Sequence, residues 1–93
     1  MSNALLRLRE MSKSFSSTER EVAENILKDP SMVVDLSIHQ LARTTFSSAS
    51  TIVRLCNHIG YTGYKEFRRA VTYELAQRDQ TRKTDRAEID QSD

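Results

Sequence analysis

The chain reads as an all-α protein, a compact bundle of about five helices that includes a helix-turn-helix, homeodomain-like or winged-helix-like. Three observations predict it. Two Gly and one Pro stand in 93 residues, so little interrupts helix. Apolar residues recur at three and four rather than two. Ser or Thr sits at the head of nearly every apolar stretch, where a hydroxyl can cap free amides. A chain this short, 38% apolar, buries one modest core and leaves no room for a large catalytic cleft.

Asn3 to Met11 places Leu5, Leu8 and Met11 at helical spacing, a short first helix, and Lys13-Ser14 reads as a turn. Ser16-Ser17-Thr18-Glu19 is a capping box. Phe15 precedes it as a staple would, but Arg20 stands where its apolar partner belongs. The helix from Ser17 to Lys28 should bury Val22, Ala23, Ile26 and Leu27, and Pro30 stops it. Ser31 to Leu36, with Met32, Val33, Val34 and Leu36, is read as one turn plugging the core. A second capping box, Ser37-Ile38-His39-Gln40, opens a helix to Thr44 that buries Ile38, Leu41 and Ala42.

Thr45 to Ser47 link that helix to the next, which Ser48 caps and Gly60 ends. Projected at about 100° per residue, Ile52, Leu55, Cys56 and Ile59 fall on one side. Ser47, Ser50, Arg54 and Asn57 fall on the other. A face of short hydrogen-bonding groups around a guanidinium suits the major groove of DNA, so this is read as a recognition helix. Tyr61-Thr62-Gly63 then forms a turn, with Thr62 as cap for a closing helix over 64–78 whose stripe is Tyr64, Phe67, Val71 and Leu75. Lys65, Arg68 and Arg69 lie off the stripe. Residues 79–93 carry only Ala87 and Ile89 as apolar side chains and are expected to be a polar tail or linker beyond a 1–78 domain.

Net charge is +1, but it is unevenly spread. Residues 1–42 carry five Lys/Arg against six Asp/Glu, 43–78 six against two, and 79–93 three against five, or −1, +4 and −2. The positive excess lies with the recognition helix and the helix after it, as a phosphate-binding surface requires. Arg54 is the candidate for a base edge or phosphate. Ser48, Ser50 and Thr51 sit at the helix start, where amides and hydroxyls meet phosphate oxygens. Ser47, Asn57 and His58 lie on or near the same face, and Lys65 and Arg69, with Arg43 more weakly, are candidate clamps on flanking phosphates.

Other chemistries find less support. No Ser/His/Asp set or carboxylate pair has a catalytic spacing, so no enzyme is expected. Cys56 lies on the apolar stripe as a structural thiol, and with His39 and His58 it makes no zinc-site spacing; no metal or cofactor is expected. Tyr61 and Tyr64 suit packing better than base stacking. No run approaches the roughly 20 apolar residues of a membrane span and no signal peptide appears, so a cytoplasmic location is expected. The competing reading is a helical protein-interaction module whose polar face only keeps it soluble.

Four blocks, FSSTEREVAENIL at 15–27, LSIHQLA at 36–42, SASTIVRLCNHIG at 48–60 and YTGYKEF at 61–67, resemble the N-terminal domain of the RpiR/MurR family of bacterial sugar-metabolism regulators. The resemblance spans roughly residues 3–78. It implies a transcription factor domain that binds double-stranded operator DNA, usually as a homodimer, followed by a sugar isomerase (SIS) domain that takes a phosphosugar effector. No such second domain is read before Asp93, and the chain is expected to be a fragment rather than a regulator lacking its sensor. Many relatives have Gly then Val where Phe46 and Ser47 stand, and Phe46 is expected to fill the apolar slot of the turn. Many also have Pro where Ala49 stands; Ala forms helix well.

Overall fold

The computed structural model describes residues 3–92, with side chains described for residues 3–78. Six helices follow in order: α1 (Ala4–Glu10), α2 (Ser17–Lys28), α3 (Ser31–Asp35), α4 (Ile38–Thr44), α5 (Ala49–His58) and α6 (Tyr64–Ser92), with a 3-10 turn at Ser12–Ser14. No strand forms among the described residues, so the helix-turn-helix here carries no wing. The expected plug is α3, and the helix read from the sequence as a recognition helix is α5.

The local caps form as the spacing predicts. Ser16 and Glu19 close a reciprocal capping box on α2, Ser37 and Gln40 one on α4, and the Ser48 hydroxyl accepts from the Thr51 amide at the head of α5. At the head of α6, Gly63 rather than Thr62 provides the first intrahelical carbonyl, which accepts from the Phe67 amide. Thr62 lies one residue too early to cap, and the Glu66 carboxylate instead reaches back to its amide and hydroxyl.

Behind these caps the apolar stripes meet in one core: Leu5, Leu8, Phe15, Val22, Ile26, Val33, Leu41, Ile52, Leu55, Cys56, Ile59, Phe67 and Val71 are buried together. Leu27 and Ile38, expected inside, are only partly buried at its margin. Phe15 packs inward against the His58 ring, centroids 5.6 Å apart, which explains why its staple partner at position 20 is not needed. Cys56 is fully enclosed, and burial pushes its thiol up to about 12. Tyr61 packs on Phe67 and under the Arg7 guanidinium.

Three helix ends are closed by side chains from far along the chain. Asn3 makes no side-chain cap on α1; the Glu74 carboxylate of α6 accepts from the Ala4 and Leu5 amides instead, at 2.8 and 3.4 Å. The last carbonyls of α3 are met from α6 as well. Tyr64 Oη lies 2.9 Å from Val33 O and 2.7 Å from Leu36 O, and Arg68 donates to Val34 O from Nε and Nη2. A helix of five residues leaves most of its polar ends orphaned, so α6 is what makes α3 tolerable in the core. The end of α5 receives Arg7, whose Nη1 donates to Ile59 O at 3.1 Å.

The closing helix runs to Ser92, past the Arg78 end that burial suggested. Gln, Arg, Lys, Glu and Ala in that stretch favour helix on propensity alone, and no Gly or Pro interrupts them. The side chains of the expected tail, 79–93, lie outside the described residues.

Replacing Tyr64 by Phe removes the hydroxyl that serves two carbonyls of the α3 segment. The expected cost is about 1 kcal/mol, a fall of roughly 4–8 °C in thermal midpoint for a domain of this size, measured by circular dichroism. An unchanged midpoint would mean that α3 does not depend on α6.

Candidate nucleic-acid interface

Between α4 and α5 the chain turns in a Schellman motif, the helix end in which two successive amides bond back to earlier carbonyls. The Ser47 amide bonds to Ala42 O at 2.8 Å and the Phe46 amide to Arg43 O at 3.2 Å, the pairing that a left-handed residue allows. That residue is Phe46, at φ +56°. The same motif ends α5, with the Tyr61 amide on Cys56 O, the Gly60 amide on Asn57 O and Gly60 at φ +97°.

The turn corrects one expectation. Phe46 fills no apolar slot; it is 92% exposed, because the left-handed backbone points its side chain away from the core. Thr45 takes the interior place instead. Its hydroxyl donates to Leu41 O at 2.8 Å and lies 2.9 Å from Ser47 Oγ. With the Thr45 proton committed to Leu41, the Ser47 hydroxyl donates inward to Thr45.

The outer face of α5 stands clear of protein. Ser50 and Arg54 are exposed and share a shallow groove with Asn57, Ala49 and Val53. Arg54 makes no ion pair among the described residues. Ala49 and Val53 were missed by the sequence reading because apolar side chains at 49 and 53 do not continue the core stripe. The run of Ala49, Val53 and Asn57 at successive spacings of four was the available signal.

Several candidates have partners within the fold. Ser48 and Thr51 are joined hydroxyl to hydroxyl at 3.0 Å, in addition to the cap. With its amide nitrogen turned towards the carbonyls, Asn57 donates to Tyr61 O at 2.8 Å and Thr62 O at 3.3 Å, bracing the turn after α5. His58 Nδ1 lies 2.9 Å from Glu19 Oε2. Lys65 and Arg69 are exposed and line a second groove along α6 with Arg68 and Tyr73, apart from the α5 groove. Arg43 is exposed at the end of α4.

Glu19 and Arg7 were missed as well, as the residues that hold α5 in place. The Glu19 side chain is 3% exposed and holds both the cap of α2 and the imidazole on α5. Burial pushes its pKa up, but the Ser16 amide, His58 and the Ser16 hydroxyl together outweigh that and leave it below its ordinary 4.5. Arg7, from α1, grips the other side of the same helix end. A Cβ at Gly60 would meet its Nη1 at 3.1 Å.

A helix held by its apolar side and its C-terminal end, with Ser50, Arg54 and Asn57 open outward beside Ala49 and Val53, is what a recognition helix requires. The chain matches the model of the rpiR-family helix-turn-helix domain over residues 2–78. It belongs to that family.

Its relatives are transcriptional regulators rather than enzymes. An uncharacterized HTH-type transcriptional regulator of Caldanaerobacter subterraneus subsp. tengcongensis is 39% identical, over 91% of this chain and 29% of its own length. HexR, an HTH-type transcriptional regulator of Pseudomonas aeruginosa, is 33% identical, over 82% of this chain and 27% of its own. Among solved structures, NanR of Vibrio vulnificus, complexed with ManNAc-6P, superposes with a TM-score of 0.77 at 44% identity, covering 81% of this chain and 28% of that one. The N-terminal domain of the Bacillus subtilis regulator ybbH superposes with a TM-score of 0.73 at 22% identity, covering 77% of this chain and 88% of that domain, a likeness of fold. The rpiR-family chain thus spans under a third of the length of the regulators it matches. Among the described residues no helix is long and apolar enough to cross a membrane.

The Glu19 geometry sets a pH dependence. A folded pKa below the unfolded one means that the stabilisation is complete above 4.5 and disappears as pH falls through the folded value. Glu19→Ala, which strands His58 Nδ1 and the Ser16 amide, is expected to cost about 1–3 kcal/mol near neutrality. Urea titrations of both proteins should converge under acid conditions. A gap that stayed constant with pH would discard the charged carboxylate as its source.

Proposed function

We propose that this rpiR-family domain binds double-stranded operator DNA by laying α5 in the major groove, as the DNA-binding part of a bacterial regulator of phosphosugar metabolism. The observation that carries the reading is Arg54, without an ion pair among the described residues and exposed in the same groove as Ser50 and Asn57. Arg54 presents a planar fork to guanine O6 and N7. Ala49 and Val53 supply apolar surface beside it, the chemistry that meets a thymine methyl.

Ser48, Thr51 and the free amides of the first turn of α5 meet a phosphate at the groove edge. Lys65 and Arg69, with Arg43, add phosphate contacts that govern salt dependence more than sequence choice. Ser47, Asn57 and His58 act by positioning, since their Oγ, amide nitrogen and Nδ1 face Thr45, the Tyr61 carbonyl and Glu19. His58 remains 42% exposed at its side chain, which leaves Nε2 to face DNA backbone.

The regulator works in the cytoplasm as a homodimer, so that two recognition helices meet two half-sites. Residues 79–93 link the 1–78 domain to an effector domain. The phosphosugar effector binds there, a reading supported by the ManNAc-6P held by NanR and by the short share of its relatives that this chain spans.

Duplexes selected from a random pool test the reading. Arg54→Ala is expected to weaken binding by about 1–3 kcal/mol and to relax choice at one base pair. Lys65→Ala should weaken binding to all duplexes alike and flatten the salt slope by roughly one unit. An Arg54 variant as tight as wild type would discard the groove assignment, and the absence of salt-dependent binding to any duplex would remove DNA from the account and favour a protein-interaction module.

A further inference from the structure

Phe46 combines two unfavourable choices at one position. Its backbone lies at φ +56°, where glycine is at ease and a Cβ crowds the following carbonyl. Its ring is 92% exposed, so no packing offsets the strain. Strain of this kind points to a use outside the fold.

The location narrows that use. Phe46 stands two residues before Ser48, the cap of α5, at the end of the helix that also carries Ser50 and Arg54 outward. The Schellman bonds from Ser47 and Phe46 to Ala42 and Arg43 fix its backbone, so the ring is presented from a held turn. The exposed large hydrophobics among the described residues are Leu6, Phe46, Val53 and Tyr73. Leu6 and Tyr73 belong to α1 and α6. Phe46 and Val53 belong to the turn and second helix of the helix-turn-helix, within the 43–78 segment of positive excess.

We propose that Phe46 is a DNA-contacting residue of this chain, its ring seated on apolar duplex surface at the rim of the major groove. The surface is the C5-methyl of a thymine or, with the same apolar chemistry, a backbone deoxyribose. The proposal rests on the duplex-binding reading of α5. Contact with DNA removes the ring from water, and the gain offsets the cost of the left-handed backbone.

Phe46→Gly separates the two roles, because it relieves the backbone and removes the ring. The variant should melt about 4–8 °C higher than wild type. On duplexes selected by the wild-type chain, its Kd should rise about fourfold, the factor that corresponds to burying one methyl-sized group. Phe46→Leu keeps both strain and apolar surface and should stay near wild type.

Replacing thymines one at a time by deoxyuridine identifies the source. A wild-type loss at a single position that Phe46→Gly no longer feels assigns the methyl. No loss at any position, with Phe46→Gly still weak, assigns the sugar. Undiminished binding by Phe46→Gly, alongside weak binding by Arg54→Ala, would overturn the Phe46 contact alone. Failure of the wild-type chain to bind any duplex would remove the reading beneath it.

Discussion

The buried Glu19 carboxylate is the joint on which the arrangement depends. One oxygen accepts from the Ser16 amide and starts α2; the other meets His58 on α5. A carboxylate so enclosed must have its hydrogen-bonding capacity met. The need is satisfied only when the last turn of α5 lies against the first turn of α2. The scaffold and α5 are therefore registered by one side chain, and the Phe15 ring against the imidazole closes the joint from the apolar side.

The opposite side of the same helix end is held by Arg7, through Ile59 O and the Tyr61 ring. Between the two grips lie Ile52, Leu55, Cys56 and Ile59, all buried. The outer face of α5 carries the exposed Ser50 and Arg54, and its C-terminal end carries the tethers. That division lets the rpiR-family domain present Ser50 and Arg54 on a rigid element, which is how a protein holds donors in position for a base edge.

The long helix α6 serves as a common cap. Glu74 closes the free amides of α1, while Tyr64 and Arg68 close the carbonyls of α3. Burial pushes the Tyr64 hydroxyl up to about 12, which keeps it a neutral donor to those carbonyls. The short helices α1 and α3 thus have these ends closed by residues more than twenty positions away.

Much of this was legible in the residues. Helix type, the caps at Ser16, Ser37 and Ser48, the apolar side of α5 and the outward position of Ser50 and Arg54 follow from spacing, because capping and amphipathicity act within one or two turns. What the tertiary structure decided is which polar groups find distant partners. Nothing local pairs Glu19 with His58, Arg7 with Ile59 O, or Glu74 with Ala4. Nor did spacing show that Thr45 would take the interior of the turn and send Phe46 outward, since that follows from a left-handed backbone set by the packing of α4 on α5. Periodicity reports where a side chain points on its own helix, and only the assembled fold reports what stands opposite.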